Sequence, residues 1–343
     1  MGLKEKLLKN STIAETALLE QSKLWEPKDT IVTDVLGLNI ALSGSLTGGM
    51  VPGLIQIAAE SARFKSKFAI EIIRAFQKKF TKGATLFYDS EFGTPRSYFN
   101  EMNLDEIIHS PVINLEALIH DIAMQFDDLD PVNDRLLVVL DSLGNIPSLK
   151  ESTDILKDIK KDKDGNIVKG TPQDMTRQKE IRKLFRIVGP QLHIKNIYMV
   201  VVNHTYKNIM DMYGSDVVSG GGGPTYNSNA IWTIGRPSRV KDDGKELTGF
   251  DFTINIHKSR FVKQDKKIPI SVSFDEGINK YSGIFDLAIE SGHIIRPTKQ
   301  TYALADKPDA TFPRKEIENS EELYNYLLND TDFPLWVQKE FVL

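Results

Sequence analysis

Cysteine is absent from the 343 residues. That removes disulfides, thiolate zinc sites and thiol nucleophiles together, and it accords with a reducing compartment such as the cytoplasm. Long apolar runs are missing too. No stretch approaches the roughly 18 residues of a membrane-spanning helix, so no membrane partner is expected. The lysines after Met1 have no apolar run or small-residue cleavage site behind them, so no signal peptide is expected. Neither sign of charge dominates. Lys and Arg number 43 against 47 Asp and Glu, a net charge of −4. On that balance alone nucleic-acid binding would not be proposed. The remaining mixture, 41% hydrophobic and 26% charged, excludes global disorder.

At about 100–200 residues per domain, the length allows two domains or one large core with appendages. Short apolar runs ending in polar residues recur through the middle. Residues 54–59 precede Glu60 and Ser61, and residues 84–88 precede Asp89, Ser90 and Glu91. Residues 136–140 precede Asp141 and Ser142, and residues 198–202 precede Asn203 and His204. Such runs predict strands buried on both faces. Helical spacings separate them: Phe68, Ile72, Phe76 and Phe80 form one stripe, and Leu184, Phe185 and Val188 another. The alternation predicts an α/β fold with a mainly parallel central sheet. Ligands on such sheets gather at the carboxyl ends of the strands, where these polar residues fall.

Residues 231–234, 250–256 and 268–274 predict three more strands, with Asp242-Asp243-Gly244 as a turn between the first two. The later pair alternates as an antiparallel extension does. After 277 a small α+β segment follows, ending in a helix over 320–328 with Asn319 or Ser320 before Glu322 as its capping signal. Residues 1–24 are mostly helical in pattern. Their apolar stripe, from Leu3, Leu7 and Leu8 to Ala14, Ala17 and Leu18, is too narrow to fold alone. The boundaries read as a helical oligomerisation segment over 1–30, packing on the core or on a neighbouring copy, a core over 31–275 and a small C-terminal domain over 276–343. Two polar or glycine-rich stretches, 158–174 and 205–226, resist assignment. Loops that long are usually functional or disordered.

Residues 59–66 read Ala59, Glu60, Ser61, Ala62, Arg63, Phe64, Lys65, Ser66. A P-loop is G-x-x-x-x-G-K-[ST] between a strand and a helix. Lys and Ser stand in place, but Ala59 and Phe64 replace both glycines. Alone, Lys65 is a surface lysine in a helix's first turn. Context adds weight. Backbone N–H groups at a helix start, a lysine for the phosphates and a hydroxyl for Mg²⁺ are all available in these eight residues. Asp141 ends a buried strand and could hold Mg²⁺ with Ser66. Glu91 ends another and could polarise an attacking water. Acids in such places also serve as helix N-caps. Two of them beside Lys65-Ser66 favour nucleotide hydrolysis.

The residues Gly44 to Gly53, Lys65-Ser66, Asp89-Ser90-Glu91-Phe92-Gly93, Asp141-Ser142-Leu143-Gly144-Asn145 and Asn203-His204-Thr205-Tyr206 resemble the RecA family of recombinases, most closely the phage UvsX branch. Similarity runs from about Asp34 to Tyr302, and Phe before the lysine is similar to that branch. The resemblance implies a RecA-like P-loop ATPase core that uses ATP and Mg²⁺. It implies a DNA-dependent ATPase that forms a homo-oligomeric helical filament on single-stranded DNA and exchanges strands with double-stranded DNA. A single-stranded DNA-binding protein, a loading mediator and the host cytoplasm follow from the same likeness. Lys65 and Ser66 match the P-loop pair, and Glu91 the catalytic glutamate. Tyr98 matches the aromatic on adenine, whose other reading is helix packing. His204 stands where a glutamine senses the γ-phosphate, or is a structural histidine. Lys258 and Arg260 match two basic residues that reach a neighbouring subunit's ATP. Lys263, Lys266 and Lys267 read as a solvated face.

The two unassigned stretches match the family's DNA-binding loops. Tyr206 and Met210 could stack on or wedge between bases. Gly220, Gly221, Gly222 and Gly223 let the backbone approach phosphates, or form a plain linker. Arg177 and Arg182 could bind phosphates. A hexameric RecA-like helicase is the alternative, since one core serves both, and the missing glycines also fit a non-catalytic paralogue. The charge balance then changes meaning. Residues 258–267 hold five basic residues and one acid. Charge is segregated, and an assembly can sum modest contacts into salt-sensitive binding.

Overall fold

The computed structural model describes residues 2–157, 175–207, 216–241, 246–275, 277–318 and 320–343. The chain opens with α1 (Leu3–Asn10) and α2 (Leu36–Ser43). Alternation then begins: β1 (Gly53–Ala59), α3 (Lys65–Lys79), β2 (Ala84–Asp89), α4 (Arg96–Glu101), β3 (Ile107–Pro111), α5 (Leu115–Asp127) and β4 (Leu136–Asp141). It continues with α6 (Leu149–Lys157), α7 (Thr176–Ile194), β5 (Tyr198–Lys207), β6 (Asp216–Val218), α8 (Gly222–Asn227) and β7 (Ser228–Ile234). A run of strands follows: β8 (Ser238–Lys241), β9 (Leu247–Ser259), β10 (Lys267–Ser273) and β11 (Gly277–Ile278).

Among the described residues these strands form one eleven-stranded sheet. Its order is β11-β10-β9-β7-β1-β5-β4-β2-β3, with β6 on β5 and β8 on β9. From β7 to β3 every neighbouring pair is parallel; β9, β10 and β11 extend it antiparallel, as expected. The continuous apolar runs are explained by burial on two faces. Ile55, Ile57, Leu137, Val139, Val200 and Val202 enter one core with Phe68, Ile72 and Phe76 of α3. Leu54, Leu136, Val138, Leu140, Met199 and Val201 enter another with residues of α5 and α7. Each such side chain contributes about 1.5–3 kcal/mol on burial.

The C-terminal segment adds α9 (Ile284–Glu290), a sheet of β12 (Ile294–Ile295), β13 (Thr301–Leu304) and β14 (Phe312–Pro313), then α10 (Arg314–Glu318), α11 (Glu321–Asn329) and α12 (Phe333–Phe341). Ser320 caps α11 by accepting from the Leu323 N–H at 3.2 Å. Phe285, Tyr324, Leu327, Phe333 and Phe341 join the first core cluster, so apolar packing is continuous across residue 276.

Three expectations change. The N-terminal stripe is helical only in α1, followed by single turns at Leu19–Gln21 and Lys23–Trp25. Ser11 and Thr16 turn the chain between them, bonding each other at 2.8 Å and the backbone of Ile13 at 3.2 and 2.8 Å. Side chains of that kind compete with helix formation. None of α1 is buried, and Leu3, Leu7, Ile13, Leu19 and Trp25 are exposed. Second, the lysines read as a solvated face are partly engaged: Lys266 pairs with Glu340, and Lys263 reaches the Lys339 carbonyl. Third, β8 stands between the first two of the three later strands; the turn at 242–244 lies outside the described residues.

Candidate functional site

The carboxyl ends of β1, β2, β4 and β5 meet at one edge of the sheet, because the strands are parallel and in register. Asp89 pairs with Asp141, and Ala59 with His204. Lys65 opens α3, so it sits at a helix N-terminus, where an anion is favoured. Its Nζ donates to the carbonyls of Ala59 at 3.2 Å and Glu60 at 2.9 Å. Burial pushes the Lys65 ammonium below its usual range, opposed by Glu91 and Asp141. Arg63 and Glu60 pair with each other at 2.6 Å across the loop.

The absent glycines have a local account. Ala62 and Phe64 adopt left-handed φ values of 58° and 55°, a conformation costing roughly 1–2 kcal/mol without glycine. The Phe64 ring packs 5.8 Å from that of Phe250 and 5.5 Å from that of Phe252 on β9. Aromatic pairs of this kind contribute about 0.5–1.5 kcal/mol each beyond area, enough to offset the backbone. The methyl of Ala59 is buried in the core, away from Ser61 and the exposed crown of the loop.

Ser66 donates to Asp141 Oδ2 at 2.6 Å. Burial pushes the Asp141 carboxyl up, and the Ser66 bond opposes that. A buried carboxylate beside a hydroxyl is a hard-oxygen donor pair. The described residues contain no cluster of three or more acidic, histidine or cysteine ligands. Two oxygen donors of this kind fit a hard divalent ion such as magnesium, which keeps several waters and takes other oxygens from phosphates.

His204 Nε2 lies 2.7 Å from Glu91 Oε1. Ser142 also donates to Glu91 Oε1 and lies 3.3 Å from the His204 ring nitrogen. The Asp141–Ser142 peptide is cis. Gly144 makes room, since a Cβ there would come 2.5 Å from the imidazole. The His204 hydrogen bond, aided by Ser142 and the Lys65 charge, lowers the Glu91 carboxyl to about 2 against the opposing effect of burial. Behind Glu91, the Asp89 carboxylate accepts the N–H groups of Glu91 at 3.0 Å and Phe92 at 2.7 Å. Sequence reasoning missed both Ser142 and Asp89; strand order alone brings Ser142 to Glu91, whereas Asp89 reaches the Glu91 loop through local bonds of the kind an aspartate makes two and three residues on. Tyr98 lies on α4, half-buried, with Lys67 Nζ 5.0 Å from its ring centroid.

Lys258 and Arg260 are not brought to this edge. Because β9 runs antiparallel to β7, Lys258 pairs with Ile231, and Arg260 donates its N–H to Asn229, near the start of β7. Lys258 Nζ donates to the carbonyls of Thr225 at 2.6 Å and Tyr226 at 3.3 Å, in the last turn of α8. Burial and Arg260 push its ammonium down.

Of the nucleic-acid candidates, Met210 and the stretch 158–174 lie outside the described residues. Tyr206 is exposed on the outer end of β5, opposite Val217 of β6. Gly220 and Gly221 use positive φ, and Gly222 and Gly223 begin α8. Arg182 is exposed on α7. Arg177 is spent on structure instead: its guanidinium donates to Ile146, Leu143 and Gly144 carbonyls at 2.9, 3.1 and 2.7 Å.

A parallel sheet with Lys65-Ser66 entering a helix from β1 and Asp141 closing β4 defines the P-loop class of α/β proteins. No family model matches the chain. The recombination and repair protein of Enterobacteria phage T4 is 40% identical over 303 residues, 88% of this chain and 74% of that protein. The RecA protein of Desulfotalea psychrophila is 24% identical over 265 residues, 76% of this chain and 68% of its own. The mitochondrial DNA repair protein recA homolog of Dictyostelium discoideum is 25% identical over 317 residues, 91% of this chain and 63% of its own. The chain belongs to the RecA family of recombinases, on its phage UvsX branch.

Proposed function

We propose that the protein is an ATP-dependent DNA recombinase. It forms a helical filament on single-stranded DNA and catalyses pairing and strand exchange with a duplex. One observation carries the reading. His204, bonded to Glu91, is followed on β5 by Thr205, Tyr206 and Lys207, at the mouth of the segment matched to a DNA-binding loop. The returning chain is held there too, since Ser219 N–H donates to the His204 carbonyl at 2.9 Å. A change at the carboxylate is thus felt where DNA would sit.

In this reading Lys65 and the first turn of α3 bind the phosphates, and Tyr98 supports the adenine. Mg²⁺, held by Ser66 and Asp141, supplies charge neutralisation on the phosphates when bound. Glu91, kept ionised by His204, orients the attacking water and accepts its proton. Lys258 and Arg260, remote from their own P-loop, serve the ATP of the next subunit. For that, Lys258 must exchange the α8 carbonyls for phosphate oxygens. The exposed stripe of residues 1–30 docks on an adjacent copy, and residues 276–343 act as the small C-terminal domain. The relatives favour a recombinase over a ring-shaped motor. No helix of the described residues is long and apolar enough to cross a membrane; the host cytoplasm, with a single-stranded DNA-binding protein and a loading mediator, is the proposed setting.

The test is ATP hydrolysis with and without single-stranded DNA, alongside a strand-exchange assay. DNA-stimulated turnover with a pairing product supports the reading. Turnover indifferent to DNA, with no pairing product, sinks it.

A further inference from the structure

Lys67 stands where a lysine is costly. It lies in the first turn of α3, at the positive end of the helix dipole and two residues from Lys65. It is 6% exposed. Lys65, equally buried, finds two carbonyls of the loop. The Lys67 ammonium makes no hydrogen bond or ion pair among the described residues. Glu71, one turn along, is paired with Arg74 at 3.5 Å. The charge of Lys67 is set over a ring: its Nζ lies 5.0 Å from the centroid of Tyr98. Buried lysines without a charged partner are rare, because desolvation disfavours them.

Direction separates Lys67 from the phosphates. Each helical residue turns about 100°, so Lys67 points about 200° away from Lys65 around the helix. Lys65 faces the loop carbonyls and Ser66 faces Asp141. Lys67 faces α4, where Tyr98 is half-buried with one face of its ring toward the ammonium.

We propose that Lys67 is a positioning and specificity residue for the nucleobase: its cation holds the Tyr98 ring from one face and favours a purine stacked on the other. The proposal rests on the reading of Tyr98 as the support of the adenine, and goes beyond it by assigning the residue behind the ring. The faces of two π-systems are both negative, and that repulsion disfavours close face-to-face stacking. A cation behind the ring draws π density away from the stacking face and relieves the repulsion. The gain is larger for a purine than for a pyrimidine, because a purine overlaps more of the ring. A ring already held also loses less freedom when the base arrives.

The experiment measures binding of ATP, UTP and tripolyphosphate, each with Mg²⁺, to the full chain by calorimetry, with steady-state ATP hydrolysis alongside. K67M keeps the length of the side chain and loses its charge. It is expected to weaken ATP about fivefold and UTP about twofold, while tripolyphosphate binds as before. KM for ATP should rise with kcat held within about twofold, the mark of lost binding and not of lost chemistry. K67R should restore both the affinity and the preference for ATP over UTP. Removing the ring should remove the effect, so K67M/Y98L should bind ATP no more weakly than Y98L. Equal losses of ATP and tripolyphosphate in K67M would make Lys67 a phosphate ligand and overturn the proposal. So would an unchanged ATP affinity in K67M, or additive losses in the double variant. A Y98L variant that binds ATP as the wild type does defeats the reading of Tyr98 itself, and the proposal with it.

Discussion

The imidazole of His204, on β5, lies 2.7 Å from the carboxylate of Glu91, which follows β2. It thereby ties two strands separated by β4, with Ser142 beyond β4 completing the bridge. If Glu91 orients the attacking water, Glu91→Gln should lower kcat by about 10²–10⁴-fold, the usual range for a positioned base. Its amide keeps the shape, so filaments should still form on single-stranded DNA in electron micrographs. His204→Ala should lose the DNA stimulation of kcat while leaving KM for ATP within about threefold. Equal loss with and without DNA would show that the histidine does not couple the two sites.

The same contact sets a pH dependence. The Glu91 carboxyl is lowered from 4.5 to about 2, first by the His204 hydrogen bond. A depressed folded-state value means the bond stabilises the fold above pH 4.5, and that this stabilisation is lost as pH falls toward 2. Glu91 therefore stays ionised through the neutral range, and an acid limb in the pH–rate profile above pH 5 belongs to another group. Carbon-detected NMR of the Glu91 carboxyl should show no titration down to pH 4 in the wild type. In His204→Ala the inflection should return toward the ordinary carboxylate range.

The strands were legible because each is buried on both faces and so reads as an unbroken apolar run. The gathering of Lys65, Ser66, Glu91 and Asp141 at one edge of the sheet was legible despite the missing glycines, since all follow such runs. Neighbourhood across the sheet was not. That Ser142 braces Glu91 depends on β2 lying against β4 with Asp89 opposite Asp141, and strand order has no local signature. The partners of Arg177 were not legible either, because the Leu143 and Gly144 carbonyls it meets follow β4, more than thirty residues away in the chain. The helical reading of residues 1–24 ignored the serine and threonine side chains that turn the chain after Asn10.

Phe64 offers a test of why a P-loop can dispense with glycine. Phe64→Gly relieves the left-handed φ of 55° but loses the contacts with Phe250 and Phe252. Phe64→Ala loses the ring and keeps the backbone cost of roughly 1–2 kcal/mol. Thermal unfolding should rank wild type above Phe64→Gly, and Phe64→Gly above Phe64→Ala by about 1 kcal/mol. An alanine variant as stable as the glycine one would show that the left-handed turn does not persist without the ring.

Asp89 gives the last prediction. Its carboxylate receives two backbone N–H groups from Glu91 and Phe92, and its other oxygen lies 3.3 Å from His109 Nε2. Asp89 is buried and does not face Ser66 or Lys65 through any hydrogen bond among the described residues. It is a positioning residue, acting by fixing the start of the Glu91 loop. Asp89→Ala should lower kcat about tenfold with KM for ATP within twofold, because a small misplacement of the base is felt in the chemical step and not in binding. Asp89→Asn keeps an acceptor oxygen and should recover most of the rate. Steady-state kinetics on the pair decides it: equal loss in both variants would assign the effect to the charge of Asp89, not to the loop it holds.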